Sequence, residues 1–216
     1  MIKVLFSKPI GSFEVNYIPN LNATGDYLMA KLYFRYSAMN AGKTTQLLQV
    51  KYNYEERGQK VLLIKPAVDD RYGVGKIKSR IGLESDAEVI NQDTNLLYFL
   101  NDKEVNCIII DEAQFLSRDQ VLQLCSIVDD QNIPVIAYGL RTDFKGDLFP
   151  GSEALLSFAD SIEELKTICW CGKKATMNTR LLNGKPVYEG EQIQIGGNES
   201  YISLCRKHWR EGKTKP

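Results

Sequence analysis

The chain has 216 residues, 44% of them hydrophobic and 25% charged, which suits one good-sized domain, or one domain with a small satellite, and excludes a disordered chain. Its 27 Lys plus Arg balance 27 Asp plus Glu, so no positive surplus draws it onto nucleic acid or an anionic membrane. No apolar run is long enough to span a bilayer.

Residues 1–28 carry Pro9, Gly11, Pro19, Asn20, Asn22 and Gly25 and hold no sustained period. A basic stretch followed by a continuous apolar one is missing, and Glu14 and Asp26 without any Arg do not suit a mitochondrial presequence. This stretch is expected to be a flexible extension upstream of a start at Met29, because a strand begins directly after that residue.

That strand covers 31–36 and is rich in aromatic residues. It runs into Ser37-Ala38-Met39-Asn40-Ala41-Gly42-Lys43-Thr44-Thr45, and a helix follows with Leu47, Leu48, Lys51 and Tyr54 on one face, closing at Arg57-Gly58. An apolar strand is expected over 60–64, and 66–82 reads as a mobile polar loop. Residues 106–111 form a strand apolar on both faces, as a central parallel strand should be. Ser117 with Gln120 has the spacing of a capping box, and Val121, Leu124, Cys125 and Val128 follow at helical spacing. Strands over 133–138 and 162–168 complete an alternating pattern, which predicts an α/β domain with a parallel sheet flanked by helices. From Cys169 onward the pattern changes to short strands, Gly turns and cysteines, so a boundary is expected near Lys166, with one unit over 29–166 and a second over 167–216.

The 37–44 stretch matches the phosphate-loop pattern at its Gly-Lys-Thr end, between a strand and a helix, with Ser37 in place of the first glycine. Gly42 lets backbone approach a phosphate, the amides of 40–45 can point at the anion, Lys43 can reach the β and γ phosphates, and the Thr44 hydroxyl suits Mg²⁺. Alone, so short a motif also fits a polar strand-to-helix turn. The Ile-rich strand ending in Asp111 shifts the balance, because a carboxylate there is placed to order hydrated Mg²⁺. Beside it Glu112 can act as general base towards an acceptor hydroxyl, water for an NTPase or an alcohol for a kinase. Asp111-Glu112-Ala113-Gln114 also resembles the tetrad of nucleic-acid helicases, so a nucleic-acid-stimulated P-loop ATPase with a zinc ribbon is the alternative. Such motors normally need two cores, and about one domain is present.

Cys169-x-Cys171 and Cys205-x-x-His208 supply four ligands of the kind tetrahedral zinc takes. With every position filled by protein, such a site is structural. Cys107 and Cys125 sit in apolar segments, and the odd cysteine count reads as a reduced, cytoplasmic protein with a local metal site.

Read together, these residues resemble the cytosolic-type (type II) thymidine kinases, bacterial branch. The resemblance covers nearly all of 29–209 and rests on Leu32-Tyr33-Phe34 leading to Ser37–Thr44, Asp69-Asp70-Arg71, the 111–115 stretch, Tyr138-Gly139-Leu140-Arg141-Thr142-Asp143-Phe144, Ile195-Gly196-Gly197-Asn198 and the Cys/Cys/Cys/His set. It implies a P-loop, RecA-like sheet with a small C-terminal zinc-containing lasso, and transfer of the ATP γ-phosphate to the 5′-hydroxyl of thymidine. It implies Glu112 as base, with Ser37, Ala38, Met39, Asn40, Ala41, Gly42, Lys43, Thr44 and the Asp111, Glu112, Ala113, Gln114 tetrad on ATP. Asp69 matches a contact to the sugar 3′-hydroxyl, and Arg71 a group that steadies transferred charge. A loop over roughly 182–201, with Ile193, Gln194, Ile195, Gly196 and Gly197, holds the thymine mostly by backbone. Met39, Phe115, Leu140, Phe144, Phe149 and Tyr201 enclose it. Zinc on Cys169, Cys171, Cys205 and His208, and a homotetramer, are also implied; no nucleic-acid or membrane partner is.

Overall fold

A computed structural model of the chain describes residues 29–69, 73, 75–193 and 200–216. The expectations for 1–28, for Arg71 and for Gln194, Ile195, Gly196 and Gly197 lie outside the described residues.

In chain order, β1 (Leu32–Ser37) leads to α1 (Lys43–Glu55) and β2 (Val61–Pro66). Then come β3 (Lys76–Lys78), β4 (Glu84–Asp86), β5 (Glu88–Ile90) and the single turn of α2 (Leu96–Phe99). β6 (Cys107–Ile110) precedes a short 3₁₀ turn at Ala113–Phe115, α3 (Arg118–Gln131), β7 (Val135–Leu140), α4 (Pro150–Phe158) and β8 (Ser161–Glu164). The C-terminal part holds β9 (Thr167–Ile168), β10 (Lys174–Ala175), β11 (Met177–Leu182), β12 (Lys185–Val187), β13 (Tyr201–Leu204) and α5 (Arg206–Glu211).

Six strands form one sheet in the order β5-β2-β6-β7-β1-β8, and every neighbouring pair is parallel. Successive side chains of a strand point to opposite faces, and β6 uses this directly. Ile108 and Ile110 join Phe34, Ala137, Val121 and Leu124 in one core, whereas Cys107 and Ile109 join Leu47, Leu48, Leu63 and Tyr138 in the other. Both faces are covered, so the expected α/β sheet flanked by helices is what the chain forms. β7 lies between β1 and β6, which separates the phosphate-loop strand from the strand ending at Asp111 by one strand width, as in the RecA-like arrangement.

Two local readings differ from expectation. The 66–82 loop contains β3, which pairs antiparallel with β4 and buries Ile77. A strand of three residues is too short to show a period in sequence; tertiary contact holds it, and the Lys65 ammonium donates to the Lys76 carbonyl at 2.9 Å. The single strand read over 162–168 is two strands in different sheets: β8 pairs with β1, and after a break at 165–166 β9 pairs with β10.

Beyond that break the sheets are antiparallel, β12-β11-β13 and β9-β10. Their own core is small, built from Cys169, Ala175, Leu204 and Cys205 with Cys171, Ile202 and Trp209 against it. Among the described residues no helix is long and apolar enough to cross a membrane.

Candidate active site

The phosphate loop leaves the carboxyl end of β1 and enters α1 through two left-handed residues, Asn40 at φ 64° and Gly42 at φ 78°. Asn tolerates that region and Gly occupies it without strain. Gly42 at the start of α1 brings no side-chain cap, which leaves the first-turn amides to an anionic ligand. Lys43 folds back over the loop, its Nζ donating to Ser37 Oγ at 3.0 Å and to the Ala38 carbonyl at 3.4 Å. Phosphate oxygens can take over those contacts.

β6 delivers Asp111 to the same edge of the sheet. The Thr44 hydroxyl donates to Asp111 Oδ2 at 3.2 Å, so two hard oxygen donors sit together. The Asp111 carboxyl is pushed up to about 7, first by burial and then by the neighbouring Glu112 charge, against the pull of Lys43. A carboxylate this deep holds its charge best beside a cation, and the pair fits Mg²⁺.

Glu112 itself is left-handed at φ 51°, uncommon for a residue with a Cβ. Its amide donates to Asp111 Oδ1 at 3.0 Å, and its carboxylate accepts from Gln114 Nε2 at 2.5 Å. Gln114 Oε1 in turn accepts the Leu140 amide at 3.0 Å, tying the turn after β6 to the end of β7. Gly151 lets α4 press against this turn: a Cβ there would meet the Ala113 carbonyl at 2.5 Å and the Leu116 carbonyl at 2.8 Å.

These groups border a cavity of about 340 Å³. Met39, Asn40, Ala41, Gly42, Lys43 and Thr44 form one end with Asp111, Glu112 and Gln114. Asp69, Phe115, Leu140, Phe144, Phe149, Ile193 and Tyr201 line the rest. Phe115 and Phe149 meet edge to face at 5.7 Å between ring centroids, an arrangement that makes a stiff apolar wall. Ser37, Ala38 and Ala113 lie off this cavity, the first two under Lys43 and the third in the core.

Several groups in or behind this lining are given no role by the sequence. Ile77 to Ile81, from the β3 side, close one flank. Lys65 is buried behind Asp69, its Nζ 3.7 Å from Asp69 Oδ2. Asp143 collects the amides of Lys145, Gly146 and Asp147 on Oδ1 and accepts from Gln192 Nε2 on Oδ2 at 3.2 Å. Asn178 and Arg180 come from β11. β11 reads Met177-Asn178-Thr179-Arg180-Leu181-Leu182, a polar run with no alternation, so no sequence signal marked them.

Cys169, Cys171, Cys205 and His208 converge with their ligand atoms all within 4.8 Å of one another. Cys169 Sγ lies 3.4 Å from His208 Nδ1, and Cys171 Sγ 4.0 Å from Cys205 Sγ. A tetrahedron with zinc bonds of about 2.0–2.3 Å has edges of roughly 3.5–3.8 Å, so the set fits the ion with little movement. The backbone N–H of His208 holds the Cys205 thiol below its ordinary range, while burial raises that of Cys169. Trp170 stacks on the His208 ring at 4.1 Å and fixes its orientation.

The sequence has counterparts among known proteins. The model of the thymidine kinase family matches residues 30–209. A thymidine kinase of Yersinia pseudotuberculosis is 55% identical over 188 residues, 85% of this chain and 96% of the relative. One from Legionella pneumophila strain Lens is 57% identical over 191 residues, 86% and 91% of the two chains. One from Shewanella oneidensis is 57% identical over 188 residues, 85% and 98%.

Proposed function

We propose a mechanism from one premise: this chain belongs to the thymidine kinase family. It is a thymidine kinase, an ATP-dependent phosphotransferase with thymidine and ATP as its substrates.

Phosphoryl transfer needs alignment and charge neutralisation more than covalent help from the protein. ATP is read as lying along the phosphate loop, with the amides of 40–45 and the Lys43 ammonium on its β and γ phosphates. Thr44 and Asp111 would hold Mg²⁺, which would supply charge neutralisation for the phosphates. The nucleoside takes the aromatic half of the cavity, its base between Phe115, Leu140, Phe144, Phe149 and Tyr201. Asp69 accepts from a sugar hydroxyl, and Arg71 and the 194–197 stretch are part of the same assignment. A Glu112 carboxylate oxygen takes the proton of the 5′-hydroxyl, the 5′-oxygen bonds to the γ-phosphorus, and the bond from that phosphorus to the β–γ bridging oxygen breaks. The products are thymidine monophosphate and ADP, and the proton leaves Glu112 to solvent.

The observation that carries this assignment is the shared cavity: Glu112 and Lys43 border one space whose other end is apolar and aromatic. Water as acceptor would need no such wall. The test is a kinase assay of the full chain against thymidine, deoxyuridine, deoxycytidine and no nucleoside, with Glu112→Gln beside the wild type. Removing a general base is expected to lower kcat by about 10²–10⁴ while ATP still binds. Near-normal turnover in that variant would remove Glu112 from its role. ATP hydrolysis stimulated by single-stranded DNA would instead support the ATPase alternative.

The zinc assignment rests on the converged Cys/Cys/Cys/His set, with the ion as a staple for the small second core. The same thiol ligands need reducing surroundings, which supports cytoplasmic placement. The division into a kinase unit over 29–166 and a stapled unit over 167–216 is supported by the change of sheet at 165–166. A homotetramer is carried over from the resemblance, and sedimentation of the full chain tests it.

A further inference from the structure

The ribbon of β11 and β13 carries two cross-strand pairs on one face. Asn178 lies opposite Ser203, and Arg180 lies opposite Tyr201. Residues two apart on a strand share a face, so these four side chains form adjacent rungs about 7 Å apart. All four are buried.

The first rung grips the phosphate loop. Asn178 Oδ1 accepts the Met39 amide at 2.8 Å, and Ser203 Oγ donates to the Met39 carbonyl at 2.6 Å. Asn178 Nδ2 is itself fixed, donating to the Thr142 carbonyl at 2.8 Å. Both polar groups of one loop residue are therefore held by side chains from the other sheet, immediately before the left-handed Asn40. An apolar contact could join two units; it could not set the tilt of these peptides.

The second rung grips the opposite half of the cavity. Arg180 Nε donates to the Tyr201 hydroxyl at 2.8 Å, and its two other nitrogens donate to the carbonyls of Glu191 at 2.9 Å and Gln192 at 3.3 Å. Its guanidinium lies 3.8 Å over the Phe144 ring. Gln192, Ile193, Phe144 and Tyr201 all line the aromatic end. One hydrogen-bonded ribbon thus holds the phosphate loop at one rung and the nucleoside wall at the next.

We propose that this ribbon couples the two substrate sites, with Asn178 and Ser203 as positioning residues that set the phosphate loop from the nucleoside side. Ordering the aromatic wall around a nucleoside orders the ribbon, and the ribbon holds Met39 and so the amides that face the nucleotide. Nucleoside and nucleotide then bind with positive coupling, each tightening the other by the same factor. This rests on the cavity being the thymidine and ATP site.

The test is calorimetric titration of the full-length protein with a non-hydrolysable ATP analogue and Mg²⁺, with and without saturating thymidine. In the wild type, thymidine is expected to tighten the analogue at least about 5-fold. In Ser203→Ala and Asn178→Ala the tightening is expected to fall below about 2-fold. Thymidine binding measured alone is expected to change less than that coupling does, which a general loss of structure would not produce. Ser203→Ala removes one hydroxyl and carries the test by itself if Asn178→Ala fails to fold. A wild type without tightening, or variants that keep it, overturns the proposal. With thymidine phosphorylation intact, that result leaves the kinase assignment standing; a wild type that phosphorylates no thymidine removes both.

Discussion

Gln114 donates through Nε2 to the Glu112 carboxylate at 2.5 Å while its Oε1 accepts the Leu140 amide at 3.0 Å, so one amide side chain ties a carboxylate to the neighbouring strand. Gln114 is 1% exposed, which leaves it no solvent to exchange partners with. In the proposed mechanism its part is to aim Glu112. Gln114→Leu keeps the bulk and removes both bonds. A general base that can swing loses part of its alignment, and kcat is expected to fall about 10–100-fold with KM for ATP changed less than about 2-fold. Steady-state kinetics at saturating thymidine measure this; an equal rise in KM for ATP would place Gln114 on the nucleotide instead.

Gly151 is required by proximity. Its missing Cβ would strike three backbone carbonyls, those of Ala113, Gln114 and Leu116, none of which can swing aside as a side chain tip would. Gly151→Ala is expected to cost about 2 kcal/mol or more, lowering the melting temperature by about 4–8 °C. It should also lower kcat, because the turn that moves carries Glu112. Thermal denaturation followed by circular dichroism reports the first effect and the kinase assay the second.

Ser117 tests stability away from the chemistry. Its hydroxyl accepts the Gln120 amide at 3.2 Å, and Gln120 Oε1 accepts the Ser117 amide at 3.1 Å, a complete capping box on α3. Ser117→Ala is expected to cost about 1 kcal/mol, or about 2–4 °C, with kcat unchanged. A fall in kcat beyond about 2-fold at constant fold would show that α3 reaches the site.

The metal set is tested by Cys171→Ser. Purified wild type is expected to carry about one zinc per chain and the variant much less. Because β13 ends at Leu204, directly before the proposed ligand Cys205, loosening the staple is expected to loosen Ser203 and with it Met39. The variant should therefore lose nucleotide affinity as well as thermal stability, although no cysteine touches the cavity. Elemental analysis paired with ATP-analogue titration checks both; full affinity in a zinc-free chain would detach the staple from the loop.

The parallel sheet was legible in sequence because its strands are marked by composition. The 106–111 stretch is apolar at every position from 107 to 110, and a strand read that way has to be central. The placement of the Gly-Lys-Thr loop and of Asp111-Glu112 at strand ends was legible because the proposed phosphate and magnesium chemistry calls for those residue types there. β3 was not legible, since three residues hold no period, and neither was the split between β8 and β9, since two to four residues on each side of the break are too few to set a period.

The amino-acid order alone therefore nominated the groups proposed to do chemistry: Lys43, Thr44, Asp111, Glu112 and the Cys/Cys/Cys/His set, each from local spacing. Only the folded chain decided which distant groups aim them. Asn178 reaches Met39 across 139 positions and Ser203 across 164. Hydrogen bonds of this kind act through space at about 3 Å, so nothing in linear spacing records them. They exist because one face of the β12-β11-β13 sheet packs on the short loop that leaves the end of β1 in the other sheet.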